Sequence, residues 1–148
     1  LSSGYADAPN SPEIRLRRRQ DLAQHVINSA SIAAIAGVQL AEIISTGKEA
    51  FDARYRSGFS FSDLTANRVG IKLAQLAVES EASALAFQAR VQKIEVDADL
   101  IPLVSGSRDG LTQREFEASY DDRTSVEYRR RVDSIDNEVA ALPLFATP

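Results

Sequence analysis

Residues 58–70, "GFSFSDLTANRVG", are the stretch on which the fold prediction rests. Ser60 precedes an apolar run and is followed three residues later by Asp63, which is the acidic variant of the capping box that opens helices. We therefore expect a helix from about Phe61 to Glu79. Four of its apolar residues share an inward stripe at helical spacing: Ala66, Val69, Leu73 and Leu76.

A second face of this helix carries polar and small residues. Asp63, Asn67, Gly70 and Ala74 follow each other at i, i+4, i+7 and i+11, which places them on one side of a helix. The two small residues would let a neighbouring helix approach closely, with Asp63 and Asn67 pointing at it. The preceding helix is the expected neighbour, because the turn between them is only about five residues long.

Two helices are predicted before this stretch. Ser11 as N-cap, with Pro12 in the first helical position, predicts a helix that runs to Gly37. Residues 38–55 predict the second helix, with an apolar stripe at helical spacing formed by Leu40, Ile44, Gly47 and Phe51. Residues 1–12 lack periodicity and indicate an extended N-terminal tail.

The C-terminal half also follows helical spacing. Residues 80–99 continue as a new helix or as an extension, with Leu85, Val91 and Ile94 in the apolar pattern and Phe87 on its flank. Thr112 and Glu115 form a capping box after a loop at 100–110, and a last helix is expected over 125–142. Eight apolar anchors are expected here: Leu111, Phe116, Tyr120, Tyr128, Val132, Ile135, Val139 and Leu142.

These patterns predict an all-α, single-domain bundle of five or six helices over residues 13–148, since neither strand alternation nor an internal repeat is found. The net charge of -4 and the short basic runs argue against nucleic-acid binding. The longest apolar segment, 32–44, is shorter than the ~20 residues of a membrane span. The chain begins without Met, which is compatible with a processed mature end or a fragment of a longer precursor.

The candidate site is a polar cluster of five residues drawn from the first three predicted helices: His25, Glu49, Asp52, Asp63 and Asn67. These residue types suit general acid–base catalysis or a hard metal ion. No phosphate-binding loop, dinucleotide fingerprint, nucleophile elbow or HExxH motif is present, and Cys is absent. We therefore predict no cofactor and assign no metal.

A purely structural interpretation of the cluster stays open. Asp63 then caps its own helix, and Lys48 forms an i, i+4 pair with Asp52. Glu49 then faces water on the side of its helix opposite Phe51. The basic runs at 15–19 and 129–131 are balanced by nearby acids, which favours solvated or ion-paired helix surfaces over contact with anionic lipid or an acidic partner.

The order "DLAQH", "GKEAFD" and "GFSFSDLTANRVG" resembles the periplasmic lipoproteins of the YfiM type and, more distantly, VanZ-like membrane proteins. Asn67 matches the VanZ-like pattern, where the YfiM type tends to have Asp, and Gln24 stands where many members have a basic or small residue. The resemblance covers residues 21–70 and implies a characteristic set of ten residues: Asp21, His25, Lys48, Glu49, Asp52, Phe59, Ser60, Asp63, Asn67 and Gly70. The apolar helices are more polar than a VanZ-like membrane bundle would allow, which implies a soluble relative. The resemblance suggests a location in the periplasm or cell envelope and supplies no substrate.

Two functions follow as hypotheses. In the first, the chain is an envelope-associated helical protein whose cluster buttresses the helix junction, while another surface binds an envelope component or protein partner. In the second, it is a hydrolase acting on a lipid or peptidoglycan component. Glu49 or His25 is then the base, and Asp52 or Asp63 orients it or binds a metal.

Overall fold

The computed structural model describes residues 13–55, 58–103 and 109–146. These ranges form seven helices and no strand, which confirms the all-α class. The count exceeds the expected five or six because α5 is a single four-residue turn. The helices are α1 Gln20–Ala36, α2 Val38–Tyr55, α3 Phe61–Val78, α4 Glu81–Val91, α5 Asp97–Leu100, α6 Gln113–Tyr120 and α7 Val126–Ala140.

The predicted start of the first helix is wrong. Ser11 and Pro12 lie outside the described residues, and α1 begins only at Gln20. Before it, Arg17 and Arg18 adopt left-handed backbone angles, with φ of 53° and 62°. Leu16 and Arg19 close this turn with two backbone hydrogen bonds of 2.9 Å.

Contacts distant in sequence stabilise this turn against the local helix preference. The Asp97 carboxylate accepts a hydrogen bond from the backbone N–H of Arg17 at 2.7 Å, and the Arg17 guanidinium donates to the carbonyl of Ile101 at 2.8 Å. The turn also lets Leu16 join the hydrophobic core. These contacts offset the cost of the left-handed residues, which sequence periodicity could not anticipate.

The main core lies between α3 and the C-terminal segments. Phe59 and Phe61 are fully buried, and Phe59 packs against Phe116 with ring centroids 4.8 Å apart. An isolated bridge joins Phe59 to Leu111 through backbone hydrogen bonds of 2.7 and 2.9 Å. All eight predicted C-terminal anchors are buried or pack against this core, as do Leu144 and Phe145.

The helix that approaches the small face of α3 is α1, and the expectation that α2 would fill this place is wrong. A Cβ placed on Gly70 would overlap the Ser29 hydroxyl and the Val26 carbonyl oxygen, and would lie 3.0 Å from the Ala30 nitrogen. The backbones of α1 and α3 therefore meet at Gly70. This close approach brings the side chains of α1 directly over Asn67, one turn earlier on α3.

The apolar stripe of α2 lies on its outer side. Leu40 and Ile44 are each 44% exposed and Phe51 is 51% exposed. Among the side chains that the structure describes on this helix, the buried ones are small or polar: Ala41, Ser45, Glu49 and Asp52. Ala41 packs with Ala33, Ile71 and Ala74 in a second, smaller core cluster. The prediction that Glu49 faces water is consequently wrong.

The boundary between α3 and α4 is a new helix start, since the Ser80 hydroxyl accepts from the backbone N–H of Ser83 at 3.1 Å. Phe87 and Ile94 pack against the core, whereas Leu85 and Val91 are exposed. The prediction placed Leu85 and Val91 in the inward pattern and Phe87 on its flank, and it is wrong for these three residues.

None of the described helices combines the length and apolar character needed to cross a membrane.

Candidate functional site

The first three helices bring four of the five candidate residues together. His25 comes from α1, Glu49 from α2, and Asp63 and Asn67 from successive turns of α3. Asp52 is also buried on α2, but its carboxylate accepts from Lys48 Nζ at 2.6 Å, which is the predicted i, i+4 pair. We use the term junction cluster for His25, Glu49, Asp63 and Asn67.

His25 lies between two side chains of α3. Its Nδ1 is 3.0 Å from Asn67 Oδ1, and its Nε2 is 3.4 Å from Asp63 Oδ2. An amide oxygen can only accept, so Nδ1 carries a proton and donates to Asn67. Partial burial lowers the pKa of His25, but the hydrogen bond and negative charge of Asp63 outweigh it and the net shift is upward.

Glu49 is the most deeply buried acid of the cluster, with 1% exposure. Its Oε2 accepts a hydrogen bond of 3.3 Å from the backbone N–H of Ser60, whereas Oε1 accepts none from the described residues. The ammonium of Lys48 stands 3.8 Å from Oε1. Burial, followed by the charge of Asp63, raises the pKa of Glu49 to about 7.

Asp63 fulfils half of its predicted capping role. Its backbone N–H donates to the Ser60 hydroxyl at 3.0 Å, which confirms Ser60 as the N-cap of α3. The reciprocal bond is absent, because the backbone N–H of Ser60 donates to Glu49 instead. The Asp63 carboxylate is thereby left to face His25 and, at 3.5 Å, the guanidinium of Arg19.

Sequence reasoning missed two charged residues beside the cluster. Arg19 Nη1 donates to Asp109 Oδ2 at 2.7 Å. The other oxygen of Asp109 accepts from the Ser60 hydroxyl at 3.1 Å and from the backbone N–H of Ser62 at 3.2 Å. These contacts hold the pKa of Asp109 below its usual value despite partial burial, and they add a second cap to α3.

No local signal could have found Asp109, since it lies 90 residues from Arg19 and 49 from Ser60. Two arginines of the basic run 15–19 are ion-paired, since Arg15 contacts Glu13 at 2.8 Å and Arg19 contacts Asp21 at 2.6 Å, but the run precedes α1 and the predicted helix surface is wrong.

A cleft of about 250 Å³ opens beside the junction cluster. Its walls include His25, Asn67 and Lys48 together with the apolar side chains of Ile32 and Ile44. The side-chain nitrogen of Asn67 is buried without a hydrogen-bond partner among the described residues. A small molecule or ion in this cleft would therefore meet an imidazole, an amide and an ammonium.

One donor atom from each of His25, Glu49 and Asp63 lies within 4.8 Å of the others, so these three residues could hold a metal ion. The arrangement can also support proton transfer, because an imidazole and two carboxylates share one partly enclosed space. Comparison of the chain with protein-family models, with curated proteins and with solved structures found no match. The resemblance of residues 21–70 to the YfiM type remains a prediction.

Proposed function

We propose that this chain is a helical protein of the bacterial cell envelope in which the junction cluster is a ligand-binding site. The envelope location rests on the resemblance of residues 21–70 to YfiM-type lipoproteins. The assignment of a binding role rests on one observation: Glu49 Oε1 and Asn67 Nδ2 are buried without hydrogen-bond partners in the described part of the chain, and Asn67 lines a cleft.

A cluster kept only for packing would be expected to satisfy its own polar atoms. Each buried polar atom left without a partner costs about 1–3 kcal/mol, and native structures contain few of them. Glu49 adds the larger cost of a buried carboxylate whose ammonium neighbour, Lys48, is engaged by Asp52 at 2.6 Å. A protein retains unpaired buried atoms of this kind when a bound ligand supplies the missing contacts. This supports a ligand-binding role over a purely structural one.

The test is the stability of Glu49→Gln in a chelating buffer at pH 8, measured by thermal and urea unfolding. Glutamine retains an oxygen that can accept from Ser60 and removes the buried charge. A shift in pKa from 4.5 to about 7 corresponds to roughly 3 kcal/mol, so we expect Glu49→Gln to be about 1–3 kcal/mol more stable than the parent.

Glu42→Gln is the matched control on the same helix, because Glu42 is a more exposed carboxylate that pairs with Arg68 at 2.8 Å. We expect a change of less than about 1 kcal/mol for it. A loss of several kcal/mol in Glu49→Gln alone would refute the binding assignment and support the buttress.

A hydrolase acting on a lipid or peptidoglycan component is the second candidate. The observation that favours it is that His25 lines the cleft and that its Nε2 lies 3.4 Å from the Asp63 carboxylate, so an imidazole and a carboxylate that can exchange a proton stand beside the cleft. The test is hydrolysis of ester and muropeptide substrates by the parent and by His25→Gln. Turnover that survives in His25→Gln would exclude this mechanism.

A further inference from the structure

The geometry points to a divalent transition-metal ion, of the class of Zn²⁺ or Mn²⁺, as the ligand of the junction cluster, bound by His25 Nε2 and the carboxylates of Glu49 and Asp63. This inference rests on the proposed binding role of the cluster and names the chemical class of its ligand. It departs from the sequence prediction, in which no metal was assigned.

The first argument is the orientation of the imidazole. Nδ1 donates to Asn67 Oδ1 at 3.0 Å, so in the neutral ring the lone pair is on Nε2, which faces Asp63. Histidine ligands of metals are commonly fixed in this way, by a hydrogen bond from the nitrogen that does not bind the ion. Asn67 would therefore be a positioning residue, outside the coordination sphere.

The second argument is the spacing of the donor atoms. His25 Nε2 and Asp63 Oδ2 are 3.4 Å apart, close to the separation of two ligands in a tetrahedral site with bonds of about 2.1 Å. One oxygen of Glu49 completes a group in which all donors lie within 4.8 Å. In a tetrahedral site every pair of ligands lies about 3.4 Å apart, so the longest donor separation must shorten by up to about 1.4 Å; opposite ligands of an octahedral ion lie about 4.2 Å apart and would require a shift of up to about 0.6 Å.

The third argument is the state of the Glu49 carboxylate. Glu49 is 1% exposed, and its Oε1 has no hydrogen-bond partner among the residues that the structure describes. Lys48 Nζ lies 3.8 Å from this oxygen but only 2.6 Å from Asp52. A cation between Glu49 and Asp63 would satisfy this oxygen and offset the repulsion between the two carboxylates.

The donor set selects the class of ion. One imidazole nitrogen with two carboxylates suits Zn²⁺, Mn²⁺ and related ions, whereas Ca²⁺ and Mg²⁺ prefer oxygen ligands alone. Three protein ligands also leave at least one coordination position for water or a further ligand.

The test is isothermal titration of the chelator-treated, tag-free chain with Zn²⁺ and with Mn²⁺. We expect one equivalent to bind with saturation, and at least a tenfold loss of affinity in Glu49→Gln and in Asp63→Asn. Glu42→Gln is the matched control: Glu42 is a partly exposed carboxylate on α2 that pairs with Arg68, so the metal affinity of this variant should equal that of the parent.

Nitrogen NMR provides a second readout that does not depend on the variants folding. His25 is the only histidine in the chain, so its imidazole signals are unambiguous. Zn²⁺ should shift the Nε2 resonance and keep Nδ1 protonated. Three results would overturn the inference: no saturable binding, binding that leaves the His25 signals unchanged, or equal affinity for Ca²⁺ and Zn²⁺.

The two proposals fail separately. A more stable Glu49→Gln together with no metal binding would leave the cluster as a site for another ligand. A strongly destabilised Glu49→Gln would remove the binding role itself, whatever the titration showed.

Discussion

Replacing Gly70 with alanine tests the contact that places His25 over α3. The added Cβ would overlap the Val26 carbonyl oxygen and the Ser29 hydroxyl, so relief requires α1 to move as a unit. Overpacking of this kind costs about 1–3 kcal/mol or more, against the ~1 kcal/mol that alanine gains over glycine inside a helix. We expect a net destabilisation of about 1–2 kcal/mol, which lowers the Tm by roughly 2–8 °C.

Gly47→Ala is the matched control within a helix. No atom lies within 4 Å of a Cβ built on Gly47, so only the helix propensity changes. We expect this variant to gain about 0.5–1 kcal/mol. The stabilities of the parent and of both variants are measured by calorimetry and urea unfolding under identical conditions.

The His25 imidazole signals give an independent check of the same contact. In Gly70→Ala, displacement of α1 should lengthen the bond to Asn67 and shift the Nδ1 proton, whereas in Gly47→Ala the signal should not move. If Gly70→Ala is as stable as Gly47→Ala and leaves His25 unchanged, α1 and α3 do not meet at this glycine and the described cluster geometry is wrong.

Two further predictions concern the core and the network beside the cluster. Phe59→Ala should cost about 3–5 kcal/mol in urea unfolding, since this buried ring packs on Phe116; a loss below about 1 kcal/mol would contradict the assigned core. Asp109→Asn should destabilise the chain at pH 6, where the carboxylate is charged and paired with Arg19. Because folding lowers the pKa of Asp109, this contribution is present above the unfolded pKa and is lost as pH falls through the folded pKa, so the difference between parent and variant should vanish in acid. A difference that is independent of pH would refute the assignment.

Several features of the fold were predictable because a few contiguous residues determine them. Ser60 and the Thr112–Glu115 pair cap α3 and α6 as their sequence signals indicate. Gly37, with φ of 89°, ends α1 where the sequence placed a breaker. The last helix also packs through the predicted stripe, with Ile135 and Val139 buried.

The composition of the candidate site was partly predictable for the same reason. Helical spacing places Asp63 and Asn67 on one face of α3, and the structure confirms that both face His25. Lys48 and Asp52 likewise form the pair expected from their i, i+4 spacing. The burial of Glu49 was not predictable, because it depends on which side of α2 turns inward.

The sequence by itself thus determined the helices other than α5 and the start of α1, the caps at Ser60 and Thr112, and the residue types of the cluster, since these depend on local hydrogen bonds and side-chain period. The tertiary structure alone decided the orientation of α2, the meeting of α1 with Gly70, and the pairing of Arg19 with Asp109 across 90 residues. The physical reason is that two faces of α2 compete for the contact with α1 and α3. The face with small residues allows the helices to approach more closely than the face with the larger apolar stripe. That close approach buries Glu49 beside His25 and Asp63.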